Sequence, residues 1–443
     1  MFNIHQLRFD NSSLGNILPK DVIDLTSMYI QKTYTFGYNT KGSLGLGNNI
    51  TTNSPTLVNT SDAHISSLSA GGWNSAIIIN NKLYMFGDNQ NGQLGLDHIK
   101  STNIPTLITG PWNNDNVTHV STGDSHTAVI ANGKLYVFGN NEYGQLGLGH
   151  FQNINIPTLL IGPWNDNPVT FVAAGSRHTA VISNNKLYMF GCNDYGQLGI
   201  TCVKYKSNYI KELQTLHAIQ EGFFEIDDID IDNEFPPCII IPTLIDKLDN
   251  VTYVAAGYDH TAIISNNQLY TCGNNNYGQL GITSDNGDLS DTSDTSLYSD
   301  DSLSSDSDLE NKDSAHDINL VDHIKYPVTF VSAGMYNTFI ITNNQLYVCG
   351  RIGEDLIIKN PTDIQSLFPL THTWNKVTYV SSMVGEHIAV IADNKLYMFG
   401  NNADGQLGLD DNNVVANQFN KVNLDNVIMA CTGYEHTIVL TNG

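Results

Sequence analysis

Four histidines follow a glycine at one fixed offset. They stand in Gly123-Asp124-Ser125-His126, Gly175-Ser176-Arg177-His178, Gly257-Tyr258-Asp259-His260 and Gly433-Tyr434-Glu435-His436. Imidazoles beside carboxylates suggest a metal centre or acid–base chemistry. Their spacing argues against both. The histidines fall one to a repeat, and no H-x-x-x-H, C-x-x-C or clustered carboxylate set gathers them. No metal and no cofactor is expected. A G-x-x-x-x-G-K-[ST] phosphate loop and a G-x-S-x-G nucleophile elbow are both absent from the sequence. Histidines repeated in this way are expected to hydrogen-bond turns or neighbouring strands. The acidic residues next to them hold more chemical interest. Asp259 occupies the clearest G-x-D-H turn, Glu435 a near match, and Asp124 and Glu386 looser ones. Turn geometry alone also favours Asp at such places.

Two alternating segments must position these turns. One is L-Y-x-F-G-x-N-x-x-G-Q-L-G-L, in clear copies from Leu83, Leu135, Leu187, Leu269 and Leu396. A looser copy starts at Thr33 and a decayed one at Leu346. The other is V-T-x-V-x-A-G-x-x-H-T-A-V-I, from Val117, Val169, Val251, Val328 and Val427, with looser copies from Ile65 and Val377. Each segment occurs seven times. The glycines after the aromatic position, Gly37, Gly87, Gly139, Gly191, Gly273, Gly350 and Gly400, are spaced 50, 52, 52, 82, 77 and 50 residues apart. That period suits a propeller blade. Short β-branched runs bounded by Gly or Asn read as strands. Asn-Asn and Asn-Gly pairs tolerate the positive φ of tight hairpins. I-P-T-L at Pro105, Pro157 and Pro242, with Pro55 similar, marks an outer edge strand, where a missing N–H costs no ladder bond.

The expected fold is all-β: a seven-bladed β-propeller with four-stranded blades. Residues 33–443 form the propeller and residues 1–32 precede it. The chain starts on a third strand and ends on a second, so both chain ends build the closing blade. Leu in G-Q-L-G is expected to wedge between blades, and Ala-Ala-Gly to mark the crowded axis.

Composition limits the partners. The 443 residues include 20 basic and 44 acidic side chains, a net charge of −24. Affinity for nucleic acid comes largely from Lys and Arg neutralising phosphates, so direct nucleic-acid binding is not expected. No run of 18 apolar residues suggests a membrane span. The N-terminus lacks a signal-peptide pattern. The six cysteines read as small core hydrophobes in a reducing compartment, so an intracellular protein, cytoplasmic or nuclear, is expected. Abundant Asn, Ile and Asp suggest an AT-rich genome, such as that of a protist or giant virus. A monomer is expected.

The paired G-Q-L-G and G-x-x-H-T signatures resemble the regulator-of-chromosome-condensation family across residues 33–443, apart from two insertions. The resemblance implies the propeller and several possible activities: guanine-nucleotide exchange on a nuclear small GTPase, scaffolding of other GTPases, ubiquitin-ligase modules, or ultraviolet sensing through a tryptophan cluster. Only four tryptophans are present, which disfavours the last. The basic N-terminal tail used for chromatin is also lacking; residues 1–32 hold only Arg8, Lys20 and Lys32 as basic residues. In the exchange factor, acidic and His side chains on the G-x-x-H face displace phosphate- and metal-binding elements of the GTPase. By position, that role would fall to Asp259, then Glu435 and Asp124. The main expectation is a non-catalytic protein-interaction scaffold. The alternatives are an exchange factor for a Ran- or Rab-like GTPase, and a binder of histone or another basic protein.

The two long spacings mark insertions at 201–241 and 283–326. Both follow G-Q-L-G-I, between the third and fourth strands, and so emerge on the G-x-x-H face. In the first, YIKELQTLHAI reads as a short helix. Phe223 and Phe224 add apolar contact to a partner surface formed with Tyr258, Asp259, Glu386, Tyr434 and Glu435. In the second, residues 284–317 hold eleven acidic residues and one lysine. So much charge with so few apolar groups points to disorder. Ser305 and Ser307 each have an acidic residue three positions on, as acidophilic kinases require. Deleting residues 284–317 is expected to leave the melting temperature unchanged; a large drop in a thermal melt would show that the segment packs.

Overall fold

A computed structural model describes residues 31–442, apart from 61–63, 113–115, 201–237, 283–316, 354–355, 368–372, 384 and 411–413. Twenty-eight strands form seven antiparallel four-stranded sheets, and helix is limited to one turn at Ile364–Leu367 among the described residues. Numbered along the chain, blade 1 runs from Ile65 to Leu107, blade 2 from Val117 to Leu160, blade 3 from Val169 to Ile245 and blade 4 from Val251 to Leu320. Blade 5 runs from Val328 to Asp363 and blade 6 from Val377 to Lys421. Blade 7 joins Val427–Thr432 and His436–Asn442 to Gln31–Gly37 and Thr52–Leu57. Seven residue pairs, Gln31↔Asn442 to Gly37↔His436, zip the two chain ends together. Gln31 and Lys32 therefore belong to the closing blade rather than to a preceding extension.

The repeat residues build the blades as their chemistry requires. Both residues of the Asn184-Asn185 hairpin have φ near +50° to +60°. Pro55, Pro105, Pro157 and Pro242 all lie on outer strands. In the N-x-x-G-Q-L turn, Asn89 Oδ1 accepts from Leu94 N at 2.9 Å and Gln93 Oε1 accepts from Asn91 N at 2.9 Å. The turn then delivers Leu94 into the core shared by blades 1 and 2, among Met85, Val120 and Phe138. Equivalent leucines, including Leu44, Leu146, Leu198 and Leu280, are fully buried.

The structure departs from expectation in three places. The fourth strand of blade 3 begins at Cys238, and Ile239, Ile240 and Ile241 are buried, so the first insertion ends before residue 238. The fourth strand of blade 4, Asn319–Leu320, falls inside the expected second insertion, with Val321 buried beyond it. In both cases apolar residues were needed to complete a blade. Third, small side chains do line the axis where the first strands end, but large ones line it earlier. His119, Phe171, Tyr253, Phe330 and Tyr379, from five successive blades, touch in a chain around the channel with centroids 4.7–5.0 Å apart. The helix expected in YIKELQTLHAI, the residues Phe223 and Phe224, and Ser305 and Ser307 lie outside the described residues. Among the described residues no helix is long and apolar enough to cross a membrane.

Removing residues 425–443 deletes two of the four strands of blade 7 and exposes the edge of Gln31–Gly37. The truncated chain is expected to lose cooperative unfolding or to melt far below the full chain. Melting at the full-chain temperature would contradict closure by both termini.

Candidate functional site

The G-x-x-H turns meet at one mouth of the channel, and their geometry explains the motif. His126, His178, His260, His387 and His436 are fully buried. Each Nε2 lies 2.9–3.0 Å from a hydroxyl of the next blade: Thr179, Thr261, Thr338, Thr437 and Ser75 respectively. Each hydroxyl donates its one proton to a main-chain carbonyl in the preceding blade's G-Q-L-G or G-S-L-G turn, at 2.7–2.9 Å. The imidazole must therefore donate from Nε2, which assigns the neutral tautomer with hydrogen on Nε2. The glycine of the motif makes room for the ring. A Cβ on Gly123, Gly175, Gly257 or Gly433 would collide with the imidazole and with a glycine carbonyl of the next blade. The histidines are thus structural members of the blade junctions, as their spacing implied. His387 joins the set although its loop carries an extra residue. Among the described residues no group of three potential ligands is placed to hold a metal.

Backbone bonds between blades fix the residues at the mouth. Asp124 N donates to Gly175 O at 3.3 Å, Tyr258 N to Gly334 O at 3.1 Å, and Tyr434 N to Gly72 O at 3.1 Å. The same turns carry, just before each His position, Trp73, Ser125, Arg177, Asp259, Tyr336, Glu386 and Glu435. Trp73, 39% exposed, stacks on Tyr434 with centroids 5.6 Å apart and donates from Nε1 to Glu435 Oε2 at 3.3 Å. Asp124 packs against Gly72, beside Trp73. Arg177 lies over the Tyr143 ring at 4.5 Å, and Arg351 over Tyr277 and Tyr336 at 5.4 and 5.8 Å.

Electrostatics sets two carboxylates apart. Burial raises the pKa of Asp259 to about 6, with Arg177 opposing and Asp194 adding to the shift. Burial also raises Asp124, again opposed by Arg177. Burial raises the Tyr434 hydroxyl, with help from Asp124, Tyr258 and Tyr336. Burial works against the charge on Arg177, but Tyr258, Tyr143, Cys192 and Asp259 around it hold its proton more firmly. Tyr258, Asp259, Asp124, Tyr434 and Glu435 thus share one mouth. Glu386 is exposed on the adjoining turn. Trp73 and Arg177 complete the group; the sequence signal that finds them is register with the motif, not acidity.

Fold and mouth together define a seven-bladed propeller of the repeat class that presents its G-x-x-H turns on one face. A family model described as "RCC1-like domain" matches residues 32–439, and the chain belongs to that family. Among curated proteins, the X-linked retinitis pigmentosa GTPase regulator of Canis lupus familiaris is 42% identical over 22% of this chain and 10% of its own length. The Protein RCC2 homolog of Xenopus laevis is 32% identical over 37% of this chain and 31% of its own length. The matched part thus spans less than a third of each relative. Among solved structures, human WBSCR16 superposes with a TM-score of 0.70 at 18% identity, covering 93% of this chain and 99% of that one. Prp20p of Saccharomyces cerevisiae, whose structure was described with its binding to Gsp1p and histones, gives 0.69 at 17% identity, covering 94% of each chain.

Two pH effects follow. Burial holds the pKa of His126, His178 and His387 near 3 and of His260 and His436 near 4. Unfolded histidines titrate near 6.5. Below that pH the unfolded chain binds protons that the folded chain refuses, so these groups lower stability progressively from about pH 6.5 toward 3. The melting temperature should fall over that window; a flat profile would contradict the neutral relay. Asp259 behaves oppositely: its pKa is raised in the fold, so its contribution to stability is lost as pH rises from about 4, where the unfolded carboxyl ionises, to about 6. Asp259→Asn should therefore stabilise the protein by about 1–2 kcal/mol at pH 7 and by little at pH 4. Denaturant melts at the two pH values test this.

Proposed function

We propose that this chain is a protein-interaction scaffold of the RCC1-like type, whose partner docks a cationic element on the G-x-x-H mouth. One observation carries the reading. A scaffold that repeats closely in its buried residues gathers unlike residues at the mouth: Trp73, Asp124, Arg177, Tyr258, Asp259, Tyr434 and Glu435. Buried acids whose charge is costly gain most from an incoming cation. We add Phe223 and Phe224, from the third-to-fourth-strand connection of blade 3, to the proposed partner contacts. The acidic composition suits a basic partner such as a histone, and Ser305 and Ser307 as phosphorylation sites would deepen that charge. We place the protein inside the cell, as a monomer.

A second reading shares the site. Asp259 stands where the exchange-factor resemblance puts an acidic wedge residue, and the fold matches Prp20p along most of both chains. In that reading the chain accelerates nucleotide release from a Ran- or Rab-like GTPase. Fluorescent-nucleotide release separates the two. The scaffold reading expects no acceleration, together with salt-sensitive binding to core histones in titrations. It also expects the Asp124→Asn, Asp259→Asn, Glu435→Gln variant to bind at least about tenfold more weakly, since losing charged contacts costs over 1.4 kcal/mol. Accelerated release abolished by Asp259→Asn would instead establish exchange. Histone binding equal in variant and parent would remove the mouth from the scaffold reading.

A further inference from the structure

Cys192 ends the third strand of blade 3 and Cys238 begins the fourth, and the two are directly paired in the antiparallel register. Residues so paired hold their Cα atoms about 4.5–5.5 Å apart. A disulfide spans Cα separations of about 4.4–6.8 Å. The pair therefore already has the backbone geometry of a cystine, although both side chains are free thiols. Cys192 is buried and its Sγ donates to Asp194 Oδ2 at 3.1 Å. Cys238 is only partly buried. Cys272, Cys349 and Cys431 are buried in the cores between blades, far along the ring or on other blades.

We propose that Cys192 and Cys238 form an oxidisable dithiol, a reversible modification site on the G-x-x-H face that takes hydroperoxides as its oxidant. This inference is independent of whether the mouth binds a partner. Cys238 is the attacking sulfur. It is the more exposed of the two, and its pKa is lowered by the contact with Cys192 and by Arg177, against burial and Asp194, which raise it; the same contact and burial raise Cys192. The Cys238 thiolate attacks the distal oxygen of a hydroperoxide. An S–O bond forms, the O–O bond breaks, and the leaving alkoxide takes up the proton lost by Cys238. Cys192 then passes its proton to the Asp194 carboxylate and attacks the sulfenic sulfur. The S–S bond forms, the S–O bond breaks, and hydroxide leaves as water with that proton. Two thiols and one hydroperoxide give one disulfide, one alcohol and one water. The new bond joins the strands on either side of residues 193–237 and removes the thiol that acts on Arg177 at the mouth.

The test uses the full chain, reduced and then treated with hydrogen peroxide. The protein should lose two of its six thiols. Mapping after alkylation in denaturant should find one cross-linked pair, Cys192 with Cys238, restored by dithiothreitol. In Cys192→Ser, Cys238 should accumulate a dimedone-reactive sulfenic acid, whereas Cys238→Ser should give no cross-link and no adduct at Cys192. Six thiols surviving millimolar peroxide, a cross-link involving any other cysteine, or no dimedone adduct in folded Cys192→Ser would each overturn the proposal. The mapping needs no variant, so a variant that fails to fold leaves the decision with the parent chain.

Discussion

A buried imidazole is stable only while neutral and hydrogen-bonded. Five of the seven blade junctions are built around that constraint. The histidine of one blade donates to a hydroxyl of the next, and that hydroxyl donates back to the first blade's turn. Each relay therefore ties two blades through three groups far apart in sequence. The motif glycine exists to admit the ring, and the G-Q-L-G turn exists partly to present its carbonyl. One hydrogen-bond chain thus accounts for two separate sequence signatures and for the spacing between them.

The junction of blades 5 and 6 shows what the relay is worth by lacking all of it. Asn337 stands in place of histidine, Ile388 in place of threonine, and a short hairpin at Gly353 replaces the G-Q-L-G turn. Removing one partner from a buried network leaves an orphan that costs about 1–3 kcal/mol, whereas replacing all partners with apolar groups can be neutral. Here the hydroxyl position became apolar, while Asn337 keeps one polar bond, from Nδ2 to Arg351 O at 2.9 Å, and leaves its Oδ1 without a partner. Ile388 lies in a core with Phe339, Ile352, Ile358 and Trp374. Trp374 contacts Tyr397 and Phe419, and Phe419 contacts Phe399, all within 5.2 Å. The decayed repeat is thus a different way of joining two blades. The junction of blades 1 and 2 is intermediate: Asn74 replaces histidine, yet Thr127 still donates to Gln93 O at 2.8 Å.

Sequence carried the propeller because each blade restates one pattern, and seven restatements outweigh any single ambiguous strand. Ring closure, the outer prolines and the buried leucines follow from strand order and residue chemistry alone. The ends of the two insertions were less legible. Cys238–Ile245 has the apolar run of a strand, but a long preceding segment hides where the repeat resumes. The fourth strand of blade 4 is only Asn319–Leu320, too short to show periodicity. The aromatic chain around the channel was hidden for another reason. Alternation along VTFVAA shows that Phe171 faces away from Val172, but not that five such residues meet at the axis. At the mouth, acidity pointed to Asp259, Asp124 and Glu435, while Trp73 and Arg177 emerged only once the blades set their turns side by side.

The same backbone ring that fixes the mouth also makes it expensive to charge. Inter-blade bonds from the Asp124, Tyr258 and Tyr434 amides hold these residues at the axis whatever their side chains do. Asn274 N donates to Asp259 O at 2.8 Å, which holds the Asp259 backbone, and its carboxylate is partly desolvated beside a single arginine. A flexible loop would relax and erase that cost. A rigid ring retains that cost. Regular junctions and an irregular mouth are therefore linked: the relays supply the stiffness that keeps partly desolvated acids, Asp259 and Asp124, in place.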